Sequence, residues 1–234
     1  MTVRHEVHVL GRESCGSDIV TLRLSRPEGY VFKPGQWFTL TLSTHQATET
    51  RTFSHCSAPS DEYLETTTRL SESSFKRALA TLAPGDRVTV AGPGGRLSLA
   101  DDAKRACFLV GGVGITPVRS MLREAMHVGR EFEDAVLLFG NRDATCVPFI
   151  SEFERMAPHG VRTVVVFENP PEGWSGETGF ITAETVREHL PRYEGVPFFV
   201  AGPPVMVSVM ERVMDDLGIH KELRHVERFG PAGS

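Results

Sequence analysis

Val110-Gly-Gly-Val-Gly-Ile-Thr-Pro117 decides the fold. It follows the short apolar run Cys107-Phe-Leu-Val110 and precedes a stretch with helical spacing, so it reads as a glycine-rich turn from strand to helix. Glycines at such a turn let a pyrophosphate approach the backbone, and the helix that follows offers free N–H groups with a partial positive charge. The pattern is Gly-x-Gly-x-x-Pro and lacks the third glycine of the usual dinucleotide fingerprint. Thr116-Pro117 predicts the helix start, a capping residue followed by proline at the first helical position.

Downstream, the same grammar repeats. Ala135–Phe139, Val161–Phe167 and Pro197–Val200 read as buried strands. Pro148–Met156, Ala183–Leu190 behind Thr182, and Pro204–Leu217 stopped by Gly218 read as helices. Strands alternating with helices predict βαβ units and a doubly wound parallel sheet. Val200-Ala-Gly-Pro-Pro-Val-Met206 is a second strand-to-helix turn, expected on the same rim of that sheet.

Upstream, the chain is β in character. Val20, Leu22 and Leu24 alternate with polar residues, as do Phe38, Leu40 and Leu42, and Val88 and Val90 mark a further strand. Pro34-Gly35, Pro84-Gly85 and Pro93-Gly94 punctuate these runs. Short strands at this spacing predict an antiparallel barrel, interrupted by one serine-capped helix at Ser73–Leu82. The expected division is therefore a barrel domain over 1–101 and an α/β domain over 102–234.

Composition agrees with a globular protein and narrows its class. A chain of 234 residues buries about 70% of its unfolded surface, enough for a core without metal clips. Its 25 basic and 30 acidic residues give a net charge of −5, which argues against nucleic acid as a partner. No run approaches the ~18 apolar residues of a membrane span. Met1-Thr-Val-Arg-His-Glu6 has no apolar stretch behind its charges, so a cytoplasmic location without a membrane span is expected. Cys15, Cys56, Cys107 and Cys146 are too scattered for an iron–sulfur or zinc site and are expected to be reduced thiols. No metal site is expected, since the nine histidines show no ligand-type spacing.

A third motif, Arg51-Thr-Phe-Ser54, combines a phosphate fork, a flat ring and a hydroxyl, about twenty residues before the Ser73-Ser74 cap. Together the motifs resemble, in order and over essentially the whole chain, the ferredoxin–NADP reductase-like flavoproteins. Arg51-Thr-Phe-Ser54 with Ser57-Ala-Pro59 resembles the flavin motif, and Thr67-Thr-Arg69 with Ser73-Ser-Phe75 the following strand and pyrophosphate helix. Gly112–Pro117 and Gly202-Pro-Pro204 resemble the nicotinamide motifs, and Glu227-Arg-Phe229 the terminal Glu-x-Phe.

The resemblance implies an FAD-binding barrel followed by an NAD(P)-binding domain, with NADH or NADPH as electron donor. It implies that Arg51 holds the flavin phosphate, Phe53 packs on the isoalloxazine, Ser54 bonds its N5 edge and Phe229 covers part of the other face. Thr52, Thr68, Arg69, Ser73, Ser74, Phe75 and Thr116 complete the flavin set. Gly111, Gly112, Val113, Gly114, Thr116, Pro117, Asn141, Arg142, Gly202, Pro203, Pro204 and Met206 form the nucleotide set. Ser54 and Glu227 are the expected catalytic residues, Glu227 either passing a proton to reduced flavin or serving an ion pair nearby.

Three departures stand out: Ala201 where the family often has cysteine, serines at 71–74 where a glycine often opens the helix, and a chain that runs on to Ser234 without a terminal aromatic. His55 is read as lining the isoalloxazine edge or as a surface or strand residue, Cys56 as a core thiol, and Met206, Met210 and Met214 as one apolar helix face. Trp174 is read as a loop anchor, with the adenine side as the alternative.

The implied activity is transfer of electrons from NAD(P)H through FAD to a separate redox protein, such as a ferredoxin, a flavodoxin or an oxygenase component. The alternatives are a reductase of free flavin and a non-catalytic nucleotide-binding subunit. NADH is expected over NADPH: Phe167-Glu-Asn-Pro-Pro-Glu172 carries two acids and no base where a 2′-phosphate would need a cation, with Arg142 the counter-candidate. The sequence carries no indication of oligomeric state.

Overall fold

The structure is a computed structural model, described for residues 3–45 and 47–230. Six strands and one helix form the first half: β1 (Arg4–Cys15), β2 (Ile19–Ser25), β3 (Trp37–Ser43), β4 (Thr48–Ser54), β5 (Tyr63–Arg69), α1 (Ser74–Thr81) and β6 (Arg87–Gly94). The strands pair antiparallel in the order β4-β3-β6-β1-β2-β5. The period-2 residues Val20, Leu22, Leu24, Phe38, Leu40, Leu42, Val88 and Val90 all point inward, as alternation requires. At the two ends of the order, the Thr66 hydroxyl of β5 donates to the Ser54 carbonyl of β4 at 3.0 Å, drawing the sheet into a barrel. Phe75 and Leu79 of α1 are buried against its interior.

The second half holds β7 (Arg105–Gly111), α2 (Ile115–His127), β8 (Asp134–Asn141), α3 (Ile150–Glu154), β9 (Val161–Phe167), β10 (Glu177–Thr178), α4 (Ala183–His189), β11 (Phe198–Gly202), α5 (Pro204–Asp216) and β12 (Arg224–Arg228). These strands pair parallel in the order β10-β9-β8-β7-β11-β12. The chain builds outward from β7 to one side, then returns to add β11 on the other. The crevice at the carboxyl end of β7 is thus the switch point where α/β sheets bind ligands. Alternate residues of β7 serve two cores: Ala106, Phe108 and Val110 pack with α2, and Cys107 and Leu109 with the α4 and α5 side.

Several expectations change. The sequence reading did not assign β1, because only Val7 and Val9 of its twelve residues are deeply buried. It also missed β10 and β12, short edge strands whose backbone pairing, not apolar pattern, holds them. Pro148–Met156 shrinks to Ile150–Glu154, since Phe149 takes a left-handed conformation at φ 63°. Thr116 is not the cap of α2: a 3₁₀ turn over Gly112–Gly114 leads into Ile115, and Thr116 Oγ1 donates back to the Val113 carbonyl at 3.0 Å.

The cysteine expectation is corrected outright for one pair. Cys15, at the end of β1, is disulfide-bonded to Cys146, in the loop after β8, across 131 residues of sequence. Cys56 and Cys107 are buried free thiols. A second tie between the halves is ionic. Arg119 of α2 pairs with Glu65 of β5 and, at 2.8 Å, with Glu152 of α3, while Arg123 reaches Asp61 at 2.8 Å.

Candidate functional site

The flavin-type residues lie along the open seam between β4 and β5. Strand alternation puts Glu49, Arg51 and Phe53 on the inner face of β4, opposite Leu42, Leu40 and Phe38. Thr52 points to the other, exposed face, so it presents only its main chain to the seam. Ser74 Oγ and Arg51 Nη2 converge on the Glu49 carboxylate, the guanidinium at 2.7 Å. The convergence of a hydroxyl and a guanidinium on one oxyanion shows a donor set that suits a phosphate group.

Ser73 caps α1, its Oγ accepting from the Lys76 N–H at 3.3 Å. Phe75 turns away from the seam into the core and stacks on Phe53 at 5.9 Å. Phe53 is therefore not an open platform for a flat ring: it is only 8% exposed, and Lys76 Nζ stands 4.7 Å from its ring centre. Lys76 also donates to Thr68 Oγ1 of β5. The sequence reading missed this lysine because nothing in the helix period distinguishes an inward-turned amine from a solvated one.

The nucleotide-type residues surround a cleft of about 780 Å³ at the switch point. Gly111, Gly112, Val113, Asn141, Arg142, Pro203 and Met206 all line it. Gly114, Thr116, Pro117, Gly202 and Pro204 do not line it; Gly114 lets a backbone approach and Gly202 leaves room for a side chain. A Cβ on Gly114 would lie 2.1 Å from the Ala201 carbonyl oxygen, and one on Gly202 would lie 2.7 Å from Met206 Sδ. Gly112, at φ +51°, faces open space with Arg69 Nη2 3.9 Å away. Arg69 lines this cleft and is ion-paired with Asp18 of the β1–β2 turn.

The cleft also contains residues that local sequence did not single out. Gly16, Ser17 and Asp18 bring the β1–β2 turn to its wall, held there by the Cys15–Cys146 bond. Phe180, Val205 and Val209 supply exposed apolar surface suited to a base, and Glu168 supplies a carboxylate. Trp174 is a loop anchor: it packs edge-on against Phe167 and donates its indole N–H to the Glu177 carbonyl at 3.0 Å. Met210 and Met214 are buried as read, whereas Met206 is half-buried with its sulfur at the cleft.

The seam also touches the second half of the chain. Ser54 Oγ, at the end of β4, donates to Glu227 Oε1 of β12 at 2.7 Å. Burial pushes the Glu227 carboxyl above its usual range, opposed by the serine bond, so it keeps its proton to higher pH than an exposed glutamate. Phe229 lies two residues on, half-buried against the α2-side core, its N–H donating to the Gly202 carbonyl at 2.8 Å. His55 is not on the surface. It is fully buried, stacked on Phe32 at 3.8 Å. Glu177 and the adjacent Glu188 and His189 form a group of metal-type ligands, in which His189 is already bonded to Glu177 at 2.8 Å.

Residues 108–212 match the oxidoreductase NAD-binding domain family. A curated relative, NADH-cytochrome b5 reductase 1 of Aspergillus terreus, is 33% identical over 159 residues, 64% of this chain and 54% of the relative. The match thus spans about half the length of such relatives. Among solved structures, the cytochrome P450 reductase of Amycolatopsis superimposes with a TM-score of 0.85 at 24% identity, over 100% of this chain and 72% of that one. A ferredoxin NADP+ reductase from Neisseria gonorrhoeae, with bound FAD and NADP, gives 0.85 at 23% identity, over 97% and 99%. Residues 108–212 thus match the oxidoreductase NAD-binding domain, and along its whole length the chain shares the two-domain fold of these reductase structures.

Proposed function

We propose that this chain is an NAD(P)H-dependent flavoprotein reductase, taking hydride from a reduced nicotinamide nucleotide and passing electrons through bound FAD to a separate redox protein. The observation that carries the reading is the junction itself: Ser54 of the seam bonds Glu227 beside β11, while Arg69 of the barrel stands next to Gly112 in the cleft. Residues 1–101 are assigned to the flavin and 102–234 to the nucleotide. FAD, when bound, supplies the conversion between hydride and single-electron transfer; the residues orient it and its partner.

In this reading the N-terminal turn of α2 receives the nucleotide pyrophosphate over Gly111 and Gly112, and Arg69 and Arg142 add positive charge at the rim. Arg51 and Ser74 hold the flavin phosphate, displacing the Glu49 carboxylate they now share. Ser54 and Glu227, whose carboxyl burial pushes upward, are placed to hold or pass a proton beside the flavin ring. Cytochrome b5 and P450 in the names of similar proteins add haem proteins to the ferredoxin, flavodoxin or oxygenase component as acceptor classes.

The test is direct. The purified protein is expected to be yellow, to retain flavin through gel filtration, and to bleach when NADH is added. Colourless protein that reduces added flavin would establish the free-flavin alternative, and colourless inert protein the non-catalytic one. NADH is expected to give the higher kcat/KM. Glu168 lines the cleft, where it can accept a hydrogen bond from a free ribose hydroxyl and would repel a 2′-phosphate. Equal or higher kcat/KM with NADPH would overturn that preference.

A further inference from the structure

Resting on the flavin reading above, we propose that Lys76 is an anion-binding residue of the seam, holding the phosphate bridge of the flavin nucleotide and making the site select phosphorylated flavin over riboflavin. A lysine on an exposed helix ordinarily runs its stem along the surface and keeps its amine in water. Lys76 does the reverse: its Nζ lies over the Phe53 ring at 4.7 Å and donates to Thr68 Oγ1 across the seam. A desolvated cation needs a counter-charge. Among the described residues, no carboxylate forms an ion pair with it.

The neighbouring acids are already engaged: Glu49 with Arg51 and Ser74, Glu72 with Arg77, and Asp18 with Arg69. The seam therefore presents two cations, Arg51 from β4 and Lys76 from α1, together with the Ser74 and Thr68 hydroxyls, around a single bound carboxylate. That excess of donors and positive charge suits a diphosphate better than an uncharged ring. Desolvation, with Arg51 repulsion second, lowers the Lys76 amine to about 8. An incoming anion would restore its full charge.

The experiment measures dissociation constants of FAD, FMN and riboflavin for flavin-stripped wild type, Lys76→Met and Lys76→Arg, by quenching of flavin fluorescence. Lys76→Met is expected to weaken FAD and FMN about ten- to a hundredfold, as for loss of a charge-assisted hydrogen bond, and to leave riboflavin unchanged. Lys76→Arg is expected to retain most of the affinity. Lys76→Met without flavin should melt no lower than wild type, because it removes a desolvated charge; a structural lysine would show the opposite. In wild type alone, FAD affinity should fall about tenfold between pH 7 and pH 9 as the amine of the free protein loses its proton.

Unchanged FAD affinity in Lys76→Met, or an equal loss for riboflavin, overturns the proposal. So does a flat pH profile in wild type, which needs no variant to fold. If wild type binds no flavin at all, it is the functional reading that fails.

Discussion

His55 shows what one side chain contributes once tertiary contacts replace solvent. It follows the flavin motif directly, yet its ring is stacked on Phe32, bonded to the Tyr30 hydroxyl at 3.2 Å and to the Gln36 carbonyl at 2.8 Å. Desolvation, opposed by the Gln36 bond and helped by Arg26, lowers it to about 3. A depressed folded value contributes stability that is present above the unfolded value of 6.5 and is lost as pH falls. Between pH 7 and pH 5 the loss from this one group is about 2 kcal/mol. Urea unfolding at the two pH values should show that loss in wild type and a clearly smaller one in His55→Gln. Equal losses would mean the ring is protonated in the folded protein.

The junction of β7 and α2 separates two glycines that look equivalent in sequence. At Gly114 the backbone conformation is ordinary, φ −60°, but a Cβ would strike the Ala201 carbonyl of β11 at 2.1 Å. At Gly112 the space is open and the conformation is left-handed, φ +51°, which costs an alanine about 1–2 kcal/mol. Gly114→Ala should therefore lower the thermal midpoint further than Gly112→Ala does, because the turn before α2 and the end of β11 must separate. Gly112→Ala should fold, keep the visible flavin spectrum and weaken NADH binding, since its methyl group projects into the cleft. A Gly114→Ala protein as stable as wild type would rule out that close packing. Normal NADH titration of Gly112→Ala would remove the turn from the binding surface.

Across the whole molecule, the two halves are joined by the Arg119–Glu65–Glu152 and Arg123–Asp61 pairs and by the Cys15–Cys146 bond. The bond closes a loop spanning 131 residues and pins the β1–β2 turn to the cleft wall. On chain-entropy grounds a cross-link of that span contributes up to about 5 kcal/mol by restricting the unfolded chain. A thiol reductant should lower the urea midpoint of wild type and leave Cys146→Ser unmoved. Thiol titration gives an independent check. Unfolded, unreduced protein should show two free thiols, and native protein none that react quickly, since Cys56 and Cys107 are buried and burial raises both thiols, Cys56 to about 11. Four free thiols would exclude the bond.

Sequence alone determined the two architectures and the glycine-rich turn of the cleft. Period-2 alternation in β2 and β3 and the strand–glycine–helix turn at 110–117 are local patterns set by side-chain direction, and local patterns survive without knowledge of partners. β1, inside its sheet, and the edge strands β10 and β12 escaped because main-chain hydrogen bonds to neighbours hold them, and such bonds leave no side-chain signature. The place of Arg69 at the cleft, ion-paired with Asp18, was not legible either, because it depends on where the β1–β2 turn returns. Tertiary structure alone decided the inward turn of Lys76, the burial of Phe53, and the meeting of Ser54 with Glu227 across 173 residues of sequence. Each depends on desolvation or on contact between distant segments, and both are fixed by where the chain returns in space.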